Sequence, residues 1–93
     1  MFTFELSKIL EKKIKKLFKK DKKLAINFKR KIREIISRDL ESIDTYKNLR
    51  YSQKNQKRIH LSDEFVLLFE VNKNEENIIF VDILHRDIVY KNK

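Results

Sequence analysis

The chain predicts an α+β domain in which an N-terminal antiparallel helical hairpin packs on a small, twisted, mostly antiparallel sheet, in the order β-α-α-β-β-β. Three observations predict it. Apolar residues recur at helical spacing through the first 40 positions, then change to short strand-like runs from Lys57 onward. The polar stretch Asn72 to Asn77 separates the two strongest runs, Phe65–Val71 and Ile78–Leu84, as the turn of a hairpin does. Asp21 interrupts the helical pattern so briefly that the two helices must fold back on each other.

The elements follow in order. Phe2-Thr3-Phe4, with alternate aromatic positions, forms a short first strand. Ser7 is placed to cap a helix to about residue 20, with Leu6, Ile9, Leu10, Ile14, Leu17 and Phe18 as its apolar stripe. Lys13 falls on the stripe side and snorkels past it. Asp21 caps a second helix from near Lys22, whose stripe is Leu24, Ala25, Phe28, Ile32, Ile35, Ile36 and Leu40, with Ile43 extending it. A polar connection with a strand around Tyr46 to Tyr51 leads to a further strand, Lys57–Leu61. Phe65–Val71 and Ile78–Leu84 are too continuously apolar for a sheet wet on one side, so they are central strands. Asp82 is the exception and needs solvent or a basic partner.

At 93 residues the chain is one domain, 1–93, with one modest core. It lacks cysteine, glycine and proline. Disulfides, cysteine-ligated metal and glycine-rich phosphate loops are thereby excluded, and turns needing positive φ are expected at asparagine or aspartate. No apolar run is long enough to span a bilayer, and Met1–Glu5 is no secretory signal, so a cytoplasmic protein is the expectation. Net charge is +9, unevenly spread: residues 1–38 hold 11 Lys and 3 Arg against 4 acids. Such a basic half attracts polyanions, nucleic acid or an acidic protein. A second basic cluster, Lys47, Arg50, Lys54 and Lys57, is the stretch expected to bind RNA.

The chemistry concentrates at one sheet end. Pairing Val71 with Ile78 and counting outward sets Phe65 opposite Leu84 and Glu64 opposite His85. A turn near Ser62-Asp63 returns His60 beside Phe65 or Val66. His60, His85, Glu64, Arg58 and Arg86 should therefore meet at one rim. Cleaving RNA without a metal needs groups that take a proton from the 2′-hydroxyl, give one to the departing 5′-oxygen, and oppose the phosphate charge. Histidine suits both proton roles and arginine suits the third. Glu64 serves as base or orients His85; Tyr90 stacks on a base or holds a phosphate. Each also has a plainer reading: exposed strand histidines, a turn carboxylate, an Arg86–Asp87 surface ion pair, a tyrosine packing the C-terminus. No helical pair of histidines fixes a zinc site, and no serine sits on a strained elbow.

Phe4 to Leu17, Tyr46-Lys47-Asn48-Leu49, the stretch Lys57 to Val71 and the ending His85-Arg86-Asp87-Ile88-Val89-Tyr90 together resemble the RelE/ParE superfamily of toxins. The likeness covers nearly the whole chain. It implies a RelE-like fold and a ribosome-dependent endoribonuclease that cuts mRNA, inhibits translation and leaves a 2′,3′-cyclic phosphate, with no cofactor. It also implies a RelB-like antitoxin partner with amphipathic helices, in a hetero-oligomer. Arg86 and Tyr90 match the C-terminal arginine and tyrosine of the RelE branch, and Lys57 and His60 fall near its lysine pair. Val66 stands where that branch has an arginine. The YafQ branch is similar in placing histidines at His60 and His85, an acid near Glu64 and an aromatic at Phe65. The ParE branch supplies the alternative, a gyrase inhibitor that acts by binding, and a basic protein-binding domain is the third reading.

Overall fold

The computed structural model describes residues 1–47 and 56–90, the side chain of Tyr90 excepted. The elements run β1 (Thr3–Leu6), α1 (Lys8–Lys20), α2 (Lys22–Ile36), a single 3₁₀ turn (Ser42–Thr45), β2 (Gln56–His60), β3 (Phe65–Asn72), β4 (Asn77–His85) and α3 (Arg86–Tyr90). The four strands lie in the order β1-β4-β3-β2, with β1 parallel to β4 and the other pairs antiparallel. The α+β architecture and its β-α-α-β-β-β order are as the sequence predicts, with α3 added after the last strand, and β3 and β4 are the central strands. The strand expected at 46–51 falls largely outside the described residues; Tyr46 and Lys47 are not strand, although the Lys47 carbonyl accepts the Arg58 N–H at 2.9 Å.

Capping sets both helix starts. Ser7 Oγ accepts the Leu10 N–H at 3.1 Å, and Asp21 Oδ1 accepts the Leu24 N–H at 2.9 Å. Each bond satisfies a backbone donor that the first helical turn leaves without a partner, worth about 1 kcal/mol. Asp21 also closes α1, because its own N–H donates to the Leu17 carbonyl. One residue thus ends one helix and begins the next, which forces the hairpin. Leu24, Phe28, Ile32 and Ile35 of α2 and Leu10 of α1 are buried against Leu67, Phe69, Ile78, Phe80 and Ile83 of the sheet. Two members of the expected stripes are not core. Ile9 is 66 % exposed, and Leu40 lies beyond the end of α2 at 43 %. Ile43, carried by the 3₁₀ turn, is fully buried instead.

The β3–β4 hairpin pairs Val71 with Ile78 as expected, and Asn72 Oδ1 accepts the Glu75 N–H inside the turn. The left-handed position goes to Glu76 (φ 51°), not to asparagine or aspartate. A turn of this length needs one residue with positive φ before the second strand resumes, and the chain has no glycine to supply it.

A second departure matters more for function. Leu68 pairs with Asp82 but Phe69 pairs with Phe80, so Val81 is an extra residue, a β-bulge. It sits where β1 ends: the Ser7 N–H donates to the Phe80 carbonyl at 2.9 Å, and Ser7 Oγ donates to the Val81 carbonyl at 2.6 Å. Beyond it the register differs by one from simple counting. Phe65 faces His85, not Leu84, and the Glu64 carbonyl accepts the Arg86 N–H at 2.7 Å. Asp82 finds the basic partner it needs, since Lys13 Nζ lies 2.7 Å from its carboxylate and 3.0 Å from the Ile83 carbonyl.

Candidate functional site

β2 ends at His60, β3 begins at Phe65 and β4 ends at His85, so all three strands deliver side chains to one sheet end. The loop between β2 and β3 is held by its own polar groups. Ser62 Oγ accepts the Phe65 N–H at 3.2 Å, and the Leu61 N–H donates to the Phe65 carbonyl at 2.9 Å. Asn27 of α2 reaches the Leu61 carbonyl at 3.1 Å, tying the helical layer to the loop. His60, Leu61, Ser62, Asp63 and Arg86 line one cleft at this end.

The two imidazoles share the sheet end but not the face. His60 pairs with Val66, which pairs with Leu84; Phe65 pairs with His85. Paired residues project from the same face and adjacent ones from opposite faces. His60 therefore lies on the Val66 face together with Arg58, which pairs with Leu68. His85 lies on the helix-covered face, where its ring meets the edge of Phe65 with centroids 5.8 Å apart. It lines an apolar groove with Leu17, Ile83 and Ile88, rimmed by Lys16 and Lys20. The expected convergence of both histidines on one face is thus corrected. The Val81 bulge shifts the register by one, and a shift of one reverses the face of every following side chain.

The other predicted residues separate as follows. Arg86 joins His60 in the cleft, and exposed Glu64 stands beside it through the backbone bond to Arg86. Arg58 is half-buried, two residues before His60 on the same face. Lys47 is exposed. Lys57 is not on the surface: it is 7 % exposed on the core side opposite Phe69, with Nζ 3.3 Å from the Tyr46 carbonyl and 3.5 Å from Asp44. That burial makes it a tether between β2 and the 3₁₀ turn, in the wall of a cleft it shares with Asp44, Glu70 and Lys73. Arg50, Lys54 and the side chain of Tyr90 lie outside the described residues.

Asp87, read from the sequence only as an ion-pair partner of Arg86, touches both neighbours. Its N–H donates to His85 Nδ1 at 3.2 Å; its carboxylate lies 3.6 Å from that nitrogen and 3.8 Å from Arg86 Nε. The spacing His-x-Asp at a strand-to-helix junction is the signal, because a residue at the cap position accepts an N–H from two residues on.

Shifted titrations among the described residues include Glu34 on α2 and Tyr46 and Asp44 beyond it. The Tyr46 hydroxyl donates to Glu34 at 2.5 Å and, with Lys31 and Arg38 nearby, holds that carboxyl below its usual range. Burial, then the Glu34 carboxylate, pushes the Tyr46 phenol up. Lys73, with Lys57 behind it, lowers the Asp44 carboxyl. These networks anchor the segment after α2. Among the described residues no group of three or more histidine and acidic side chains is placed to hold a metal ion. No described helix is long and apolar enough to cross a membrane.

A helical hairpin on a four-stranded mixed sheet is a fold this chain shares with solved structures. The backbone superposes with a TM-score of 0.72 on a metal-bound toxin from Helicobacter pylori, at 24% identity over 97% of this chain and 100% of that one. It superposes at 0.71 on YafQ from E. coli strain BL21(DE3), at 17% identity over 97% and 99%. In sequence it is 39% identical, over all 93 residues and 95% of the relative, to a chain of Methanocaldococcus jannaschii that bears the name of a toxin, RelE4. An uncharacterized protein of Methanosarcina mazei is 32% identical over 90 residues, 97% of this chain and 100% of that one. No family model matches the chain. The kinship with the M. jannaschii chain runs from end to end: this protein belongs to the RelE-like toxins.

Proposed function

We propose that the protein is the toxin of a toxin–antitoxin pair and an endoribonuclease that cuts ribosome-bound mRNA in the cytoplasm. The observation that carries the reading is the cleft shared by His60 and Arg86 at the sheet end, with His85 across the same edge. The 2′-hydroxyl attacks the adjacent phosphorus, the P–O5′ bond breaks, and a 2′,3′-cyclic phosphate remains. His60 and His85 handle the two protons, Arg86 and Arg58 oppose the charge that grows on the phosphate, and Glu64 assists. RNA lying across the rim meets one imidazole on each side of the sheet edge. No step requires a metal. The exposed lysines of α1 and α2 (Lys12, Lys15, Lys19, Lys23, Lys29) supply sequence-independent affinity for ribosomal RNA, which falls steeply with salt. A RelB-like antitoxin, acidic where this chain is basic, covers and silences it, and by mass action stabilises the folded toxin.

A second reading has a specific observation in its favour. With the imidazoles on opposite faces, a toxin that acts by binding alone, as a gyrase inhibitor or as a basic protein-binding domain, needs neither of them. Expression of the chain in cells separates the two. Under the first reading growth stops, primer extension finds new mRNA 5′ ends, and His60→Ala or Arg86→Ala removes both effects while circular dichroism stays unchanged. Full toxicity in both variants, with intact mRNA, establishes the second.

A further inference from the structure

We propose that Asp87 is the positioning residue for His85, its main-chain N–H and its carboxylate together keeping the ring's hydrogen-bearing Nε2 turned toward the RNA. The chemical consequence rests on the endoribonuclease reading; the pairing itself stands on the geometry of the rim.

His85 is the last residue of β4 and directly precedes α3, which puts it at the cap position of that helix. Its Nδ1 accepts the Asp87 N–H at 3.2 Å. A ring nitrogen that accepts a hydrogen bond carries its lone pair there, so the hydrogen of the neutral ring sits on Nε2. When the ring takes a second proton, Nδ1 becomes a donor and needs an acceptor. The Asp87 carboxylate lies in ion-pair range at 3.6 Å from Nδ1 and becomes that acceptor on a small closing movement; its other oxygen lies 3.8 Å from Arg86 Nε. Nε2 therefore carries a hydrogen in both states. Phe65 packs T-shaped against the same ring, with centroids 5.8 Å apart and planes at 78°. The imidazole is thus oriented from α3 and from Phe65.

This divides the labour between the histidines. Held in this way His85 offers the 2′-hydroxyl no bare nitrogen, so the base is among the other groups at the rim, His60 with Glu64 assisting. As the O2′–P bond forms, the 2′-hydroxyl proton passes to His60. As the P–O5′ bond breaks, O5′ takes the proton from Nε2 of the His85 imidazolium. The hydrogen that remains on Nδ1 then faces the Asp87 carboxylate.

Two measurements test the assignment. Long-range ¹H–¹⁵N correlation spectra of the toxin alone report which nitrogen of neutral His85 holds the hydrogen; the expected answer is Nε2, and a hydrogen on Nδ1 overturns the proposal. The second uses programmed ribosomes bearing an RNA with sulfur in place of the bridging 5′-oxygen at the mapped cut. A thiolate leaves without a proton. On ordinary RNA, His85→Ala is expected to lose about 10²- to 10⁴-fold in kcat, the contribution of a positioned acid, and Asp87→Asn about tenfold with KM unchanged. On the sulfur RNA both return to near the wild-type rate, whereas His60→Ala stays slow. Equal losses for Asp87→Asn on the two RNAs overturn the positioning role. Should the wild type cut neither RNA, the endoribonuclease reading fails, and the spectra alone decide the Asp87–His85 pairing.

Discussion

Replacing Tyr46 by phenylalanine removes one oxygen and tests how the segment after α2 is fastened. That oxygen donates to Glu34 at 2.5 Å and accepts from Arg38 Nε at 3.2 Å, and the Arg38 guanidinium also lies over the ring, 5.3 Å from its centre. The ring packs edge-on against buried Phe69 with centroids 5.6 Å apart, and phenylalanine keeps that packing. The loss is therefore confined to hydrogen bonding with charged groups. Such bonds are worth about 1.5–3 kcal/mol when buried, and Glu34 is 38% exposed, so about 1–2 kcal/mol is expected. For a domain of this size that lowers Tm by roughly 5–15 °C. Thermal melts followed by circular dichroism measure it, and a double-mutant cycle with Glu34→Ala should recover the Glu34 share of the loss as coupling. A Tm shift within about 1 °C, or no coupling, would refute the account of this network.

Other expectations are as direct. The Glu34, Asp39 and Asp44 carboxyls are all held below their ordinary range, so each favours the folded state above the unfolded value near pH 4 and loses that contribution as pH falls through its lowered one. The Tyr46 phenol is raised and acts in the opposite sense, its contribution being present below about pH 10 and lost above it. Melts across the range should show the protein losing stability at both extremes. Glu76→Asn should stabilise the fold by roughly 0.5–1 kcal/mol, since asparagine tolerates the left-handed region that glutamate occupies at φ 51°. Lys57→Met should change the melting temperature and leave the salt slope of RNA binding untouched. Lys12→Gln and Lys15→Gln, on the exposed face of α1, should instead each lower that slope by about one where the lysine neutralises a phosphate, read by filter binding at several salt concentrations.

What was legible in the chain was local. Ser7 and Asp21 announce their helices because a cap needs only its own side chain and the next turn. Val71 and Ile78 find each other across a turn six residues long. The burial of Lys57 was also open to reading: it alternates with Ile59, and a strand whose isoleucine faces the core carries the lysine there too. The Val81 bulge was not legible, because the bonds that meet it come from far away in sequence. Ser7, at the point where β1 leaves the sheet, binds the Phe80 and Val81 backbone across 73 and 74 positions. Without that pair of bonds, counting from the turn runs one residue out of step and assigns His85 to the wrong face. The strand ends were found, and with them the shared rim; the side of the sheet on which the His85 ring stands follows from the bulge that β1 and Ser7 meet. Asp87 was missed for a related reason. Its role depends on β4 ending at His85 and α3 beginning at once, a junction that neither run of residues marks by itself.

The most direct test of the central claim is end-group analysis of RNA treated with the purified toxin on programmed ribosomes in the presence of a chelator. Cleavage within the mRNA, giving a 2′,3′-cyclic phosphate on the upstream fragment and a 5′-hydroxyl on the downstream one, lost in His60→Ala and Arg86→Ala, is the predicted result. Intact mRNA from a folded protein that still arrests growth, or fragments with a 3′-hydroxyl and a 5′-phosphate, would contradict it.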